Sequence, residues 1–145
     1  MAKPIVVITP GSFSPASEYD ALVSELAGSG FEAFAYDLRT TLKKPSDNLP
    51  ASTLHEDAAF FNGVLSGLCD QSQNVVILGH SYGGMAISEA VKGLTQKRVG
   101  KGRVLGMIYL TAAAAKEGQS LGEMTADLGF DFINADVRIS RLTCA

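Results

Sequence analysis

A serine bracketed by glycines, Gly79-His80-Ser81-Tyr82-Gly83, follows the apolar run Val75–Leu78 and precedes an amphipathic helical pattern. Strand, sharp turn and helix are the context in which G-x-S-x-G reads as a nucleophile elbow. A hydroxyl that attacks an acyl carbon must project clear of the sheet, and this demands a strained backbone at the serine. Strand and helix then crowd together two residues to either side, where only glycines such as Gly79 and Gly83 fit. The competing reading is a Gly-rich turn with an incidental serine; the flanking strand and helix patterns favour the elbow. His80 lies beside Ser81, but neighbours at a strand end point oppositely, so its ring is expected to pack away from the hydroxyl.

The elements that would carry this serine alternate along the chain. Pro4–Thr9 is a β-branched run, the mark of a strand buried on both faces. After the Pro10–Phe13 turn, Ser14-Pro15 reads as an N-cap with proline at the first helical position. Tyr19, Leu22, Val23, Leu26 and Ala27 follow at helical spacing, and Gly28-Ser29-Gly30 stops the helix. Phe31–Tyr36 is a second strand ending at Asp37. Leu38–Ser52 is a polar loop without periodicity, longer than most connections. Thr53-Leu54-His55-Glu56 is a capping box opening a helix with Leu54, Ala58, Phe61, Leu65 and Leu68 inward. A third helix runs from about Tyr82 to Leu94, with Ile87, Ala90, Val91 and Leu94 buried. Gln96–Arg103 is a basic, solvated connector, and Val104–Leu110 is a fourth strand. A short helix over Leu121–Leu128 is the last readable element. The pattern predicts an α/β fold: a parallel sheet of about four strands flanked by helices on both faces. Ligands then collect at the carboxyl edge of the strands.

The chain has 145 residues, a net charge of −3, no Trp and 19% charged residues. That balance gives no reason to expect nucleic acid or a membrane as partner. Cys69 and Cys144 are too few for a disulfide framework and lack metal-ligand spacing, so no metal or cofactor is expected. Neither a signal peptide nor a membrane-length apolar run is present in the sequence, which sets a cytoplasmic expectation.

Pro10-Gly11 after the first strand, Asp37-Leu38 after the second and Gly-His-Ser-Tyr-Gly-Gly at 79–84 resemble the α/β-hydrolase fold. The likeness is to its small single-domain members, such as plant methylesterases and hydroxynitrile lyases, and covers roughly Lys3 to Met124. It implies that the first strand pairs with both the second and the third, placing a switch point between the Pro10–Phe13 loop and Ser81. It implies an ester or thioester hydrolase with Ser81 as nucleophile and a small ester-like substrate. The oxyanion would be held by the backbone N–H groups of Tyr82 and Ser12, with Phe13 the alternative to Ser12. Tyr82 and Met85 would line or underlie the pocket. A lyase on the same scaffold and a non-catalytic ligand-binding relative are the other readings.

The family's chain order is Ser, then Asp or Glu, then His. No histidine follows Ser81; His55, in the first turn of the second helix, is the only base candidate besides His80. The positive end of that helix disfavours the imidazolium a base must form. Asp127, Asp131 and Asp136 are acid candidates, none assignable. Val104–Leu110 is wholly apolar, and left uncovered it would be a bare edge that promotes self-association. Residues 1–125 are therefore expected to be the amino-terminal part of a hydrolase domain. Residues 126–145 read as a tail outside the family sequence, of the kind a retained intron would encode.

Overall fold

The computed structural model describes residues 2–42 and 52–129. Four strands form one parallel sheet: β1 (Ile5–Thr9), β2 (Ala33–Ala35), β3 (Val75–His80) and β4 (Val104–Leu110), in the order β2-β1-β3-β4. β1 pairs with both β2 and β3, as expected, so the chain reverses across the sheet between them. All five residues of β1 are buried because each of its faces meets a helix layer. Val6 and Ile8 pack with Tyr19, Leu22, Val23 and Leu26 from α1 (Asp20–Gly28) and the turn before it. Ile5 and Val7 join Phe61, Leu65, Met85 and Ile87 on the opposite face. Those side chains come from α3 (Leu54–Asp70) and α4 (Gly83–Ala90). Two shorter helices, α2 (Arg39–Leu42) and α5 (Leu121–Asp127), follow β2 and β4.

Most local signals act where the sequence puts them. The Thr53–Glu56 capping box forms, with Thr53 N–H on Glu56 Oε2 at 2.7 Å. At the end of α1, Gly30 takes a φ of 77° and donates to Ala27, while Phe31 donates to Leu26. This double bond satisfies carbonyls that would otherwise be orphaned.

Three readings change. Ser14 does not cap the first helix: Ala16–Tyr19 is a 3-10 turn preceded by Pro15, without a side-chain cap, and α1 begins at Asp20. The reason is that Asp37 Oδ1, from the end of the second strand region, takes the Ala16 N–H at 2.6 Å. The helix after the elbow stops at Ala90, because Asn62 Nδ2 binds the Ala90 carbonyl at 2.7 Å. Leu94 O is then taken by Val104 N at 2.9 Å, leading the chain into β4. Val91 and Leu94 remain buried. Within the Leu38–Ser52 stretch Leu38 is fully buried and residues 39–42 are helical; 43–51 lie outside the described residues.

β4 occupies the sheet's edge, and after Val104 every one of its residues is exposed. Leu105, Met107, Ile108, Tyr109 and Leu110 keep 37–48% of their surface open. Among the described residues no strand pairs with its outer side, so the bare apolar edge expected from the sequence is present there. No helix among the described residues is long and apolar enough to cross a membrane.

Candidate active site

Ser81 leaves β3 with a φ of +52°, a left-handed conformation that costs a non-glycine residue about 1–2 kcal/mol. Its neighbours over-determine that strain. Ser81 N–H donates to Leu110 O at 3.3 Å, and Ser81 O accepts from Gly84 N at 3.1 Å and Ala113 N at 2.9 Å. A Cβ on Gly79 would lie 2.7 Å from the Gly83 carbonyl, and one on Gly83 would lie 2.5 Å from the Thr9 and Pro10 oxygens. Such separations exclude any side chain, so both glycines are required by β1, β3 and α4 meeting at one point. Gly84, which the motif reading leaves without a role, is equally confined, against the Ala113 carbonyl. The Ser81 side chain itself is exposed at the carboxyl edge of the sheet.

The Pro10–Phe13 loop is brought onto this serine. A Cβ on Gly11 would sit 3.2 Å from Ser81 Cβ, so Ser12 and Phe13 follow directly from a backbone in contact with it. Ser14 N closes the turn on Gly11 O at 3.3 Å, and Phe13 takes a φ of +64° with 92% of its surface open. Tyr82, the residue after Ser81, has helical backbone angles and is the N-cap of α4, whose amino terminus adds positive potential.

His80 turns away from Ser81, as its strand position implies. Gly11 N–H donates to Tyr19 Oη at 3.1 Å, and Tyr19 Oη lies 2.7 Å from His80 Nδ1. Whichever of the two carries the shared proton, Nδ1 is occupied by the Tyr19 hydroxyl. His80 and Tyr19 therefore anchor the loop that lies beside Ser81. His55 faces a groove of about 460 Å³ with Ala58, Ala59, Asn62, Glu89 and Lys92, and Ser81 is not part of that lining. Asp127 is exposed and accepts from Gln119 Nε2 at 2.7 Å; Asp131 and Asp136 lie outside the described residues. Met85 is fully buried beneath the elbow, and so is Cys69 in the core. Among the described residues no three His, Cys, Asp or Glu converge as metal ligands.

One group at the site belongs to no motif in the sequence. Asp57 is 0% exposed and accepts from Thr40 N at 3.0 Å, Thr40 Oγ1 at 2.8 Å and Tyr82 Oη at 3.1 Å. Burial first, then the Asp57 charge and hydrogen bond, push the Tyr82 phenol far above the usual tyrosine range. A signal was available: Asp57 falls on the apolar stripe of its helix, between Leu54 and Ala58, where a carboxylate needs partners.

The chain matches the model of the alpha/beta hydrolase family over residues 6–142. It is 34% identical over 149 residues to the probable hydrolase R7 of Phoma sp., covering 100% of this chain and 59% of that protein. It is 36% identical over 123 residues to the alpha/beta hydrolase nvfD of Aspergillus novofumigatus, covering 83% and 48%. Tomato methylketone synthase I shares the fold with a TM-score of 0.68 at 18% identity, over 89% of this chain and 47% of its own. The chain spans about half the length of these relatives. The family match also reaches past Met124, into the segment that the sequence reading had set outside the family.

Proposed function

Because the chain belongs to the alpha/beta hydrolase family, we propose that it carries the nucleophile-bearing part of a serine hydrolase for carboxylic esters or thioesters. The observation that supports this is the Ser81 φ of +52° between two glycines that tolerate no Cβ. In this reading Ser81 Oγ attacks the acyl carbon and its proton passes to a base. The carbonyl electrons move onto oxygen, held by the Tyr82 and Ser12 amides, with Phe13 the alternative donor. Each such donor contributes about 3 kcal/mol in the transition state. A second reading, a pocket retained for ligand binding, is favoured by the fate of the imidazoles: His80 Nδ1 is engaged by Tyr19, and His55 lines another groove.

A fluorophosphonate probe separates the two. Slow labelling that disappears in Ser81→Ala supports the nucleophile; a folded, unlabelled chain supports the binding reading. Turnover of p-nitrophenyl acetate is expected to be weak or absent, and robust Ser81-dependent turnover would restore His55 as the base.

A further inference from the structure

We propose that Asp57 is a positioning residue whose buried carboxylate tethers the Tyr82 side chain to Thr40 and so fixes the peptide that follows Ser81. The proposal rests on the reading of Ser81 as nucleophile, since that peptide carries one oxyanion donor.

The elbow is strained, and strain at a functional turn persists only where the surroundings fix it from several directions. From the β4 side it is held by two backbone hydrogen bonds, Leu110 O on Ser81 N and Ala113 N on Ser81 O, with the Ala112 and Tyr109 side chains packed against Gly84. From the opposite side the described connection is a side chain: Tyr82 Oη on Asp57 Oδ2, 3.1 Å. Asp57 is itself pinned by two donors of Thr40, at 3.0 and 2.8 Å, in the helix that follows β2. One carboxylate thus joins α2, the first turn of α3 and the first residue after the nucleophile. All three donors are neutral, and a carboxylate buried among neutral donors is a poor source of fold stability compared with an apolar side chain. Its position in the first turn of α3 offsets part of that cost through the helix dipole. What it provides is geometry. A hydrogen bond to a charged acceptor is stronger and more directional than a neutral one, so Tyr82 is held at both its backbone and its tip.

The test uses the full chain with Tyr82→Phe, which removes one oxygen and preserves packing, alongside Asp57→Asn and Asp57→Leu. Amide hydrogen exchange is followed at Gly84, Met85 and Ala113, whose N–H groups bond to Ser81 and Tyr82 carbonyls. Exchange there is expected to accelerate about tenfold in Tyr82→Phe, the loss of one charge-assisted hydrogen bond. Val76 and Ile77 in β3 stay unchanged. Asp57→Asn, which keeps an acceptor oxygen, falls between wild type and Asp57→Leu. Unchanged exchange at the three elbow amides, or equal acceleration through β3, would overturn the tether. Fluorophosphonate labelling is run in parallel, with the maximal rate expected to drop in Tyr82→Phe while half-saturation stays constant. If wild type is not labelled, the nucleophile reading fails, and the exchange data still decide the tether.

Discussion

β3 and β4 are adjacent, parallel and almost equally apolar, yet the fold treats them oppositely. In β3, Val75, Ile77, Leu78 and Gly79 are buried; in β4, only Val104 is. Residues paired directly across the two strands, Ile77 with Met107 and Leu78 with Ile108, differ in this way because, among the described residues, β3 has a strand on each side and β4 has one. The elbow grows from the strand with a neighbour on each side, and the segment after the edge strand meets it through the Ala113 backbone and the Ala112 side chain. The close packing at Ser81 therefore centres on the β1, β3 and α4 junction, with Leu110 and Ala113 adding backbone hydrogen bonds from the edge.

The largest expected effect tests that junction. Gly83→Ala places a carbon 2.5 Å from two backbone oxygens, where nothing can give way. A cost of about 3 kcal/mol or more is expected, and with it loss of the cooperative urea transition. Gly106, in the middle of β4, has nothing within 4 Å of its notional Cβ. Gly106→Ala should be neutral or stabilise by up to about 1 kcal/mol, through the lower entropy of the unfolded chain. Equal destabilisation by the two substitutions would remove the distinction between strands.

A second pair is smaller. Ile77→Ala is expected to cost about 2–5 kcal/mol as a core truncation, and Met107→Ala less than about 1 kcal/mol. The exposed apolar edge is instead expected to act on association. Met107→Lys introduces a charge of the kind that blocks edge-to-edge pairing, and it should shift the chain toward monomer in light scattering with little change in urea midpoint. An unchanged mass distribution between wild type and Met107→Lys would show that β4 is not the associating surface.

How much of this was legible follows the same division. Local, short-range signals read cleanly: β1 as a doubly buried run, the Thr53–Glu56 box and the two elbow glycines, whereas the pairing of the first strand with the second and third came from the family resemblance. What was missed depends on residues distant in sequence. Asp37 displaces Ser14 as the partner of the first helix, across 21 residues, and no local pattern encodes that. Tyr19 reads as one more apolar position in a helix stripe, whereas its hydroxyl couples Gly11 to His80, 61 residues away. The Ser120–Glu123 capping box does open α5, and the S-x-x-E spacing that announces it was in plain view. Asp57 was hidden differently, by sitting one residue past a capping box, where a carboxylate ordinarily serves the helix end. Its burial is decided by Thr40 and Tyr82, which helical periodicity cannot bring together.

The smallest effect vanishes at neutral pH and grows in alkali. Tyr82, on the closed side, has its phenol raised above the ordinary tyrosine value by burial and by Asp57. Above about pH 10 the unfolded chain releases that proton while the folded chain keeps it. The folded state then binds more protons, the slope of unfolding free energy with pH is negative, and stability falls as pH rises. Cys69 acts in the same sense from a lower starting point: its thiol is raised above 9.0, chiefly by burial, with Arg98 opposing. The urea midpoint of wild type should therefore hold between pH 7 and 8.5, begin to decline near 9 and steepen past 10. Tyr82→Phe starts lower, by about 1.5–3 kcal/mol for the lost charge-assisted hydrogen bond, but declines less steeply above pH 10. Cys69→Ala flattens the earlier part. Parallel curves for wild type and Tyr82→Phe above pH 10 would mean that the phenol ionises as freely in the fold as out of it, and that the closed side of the elbow is not closed at Asp57.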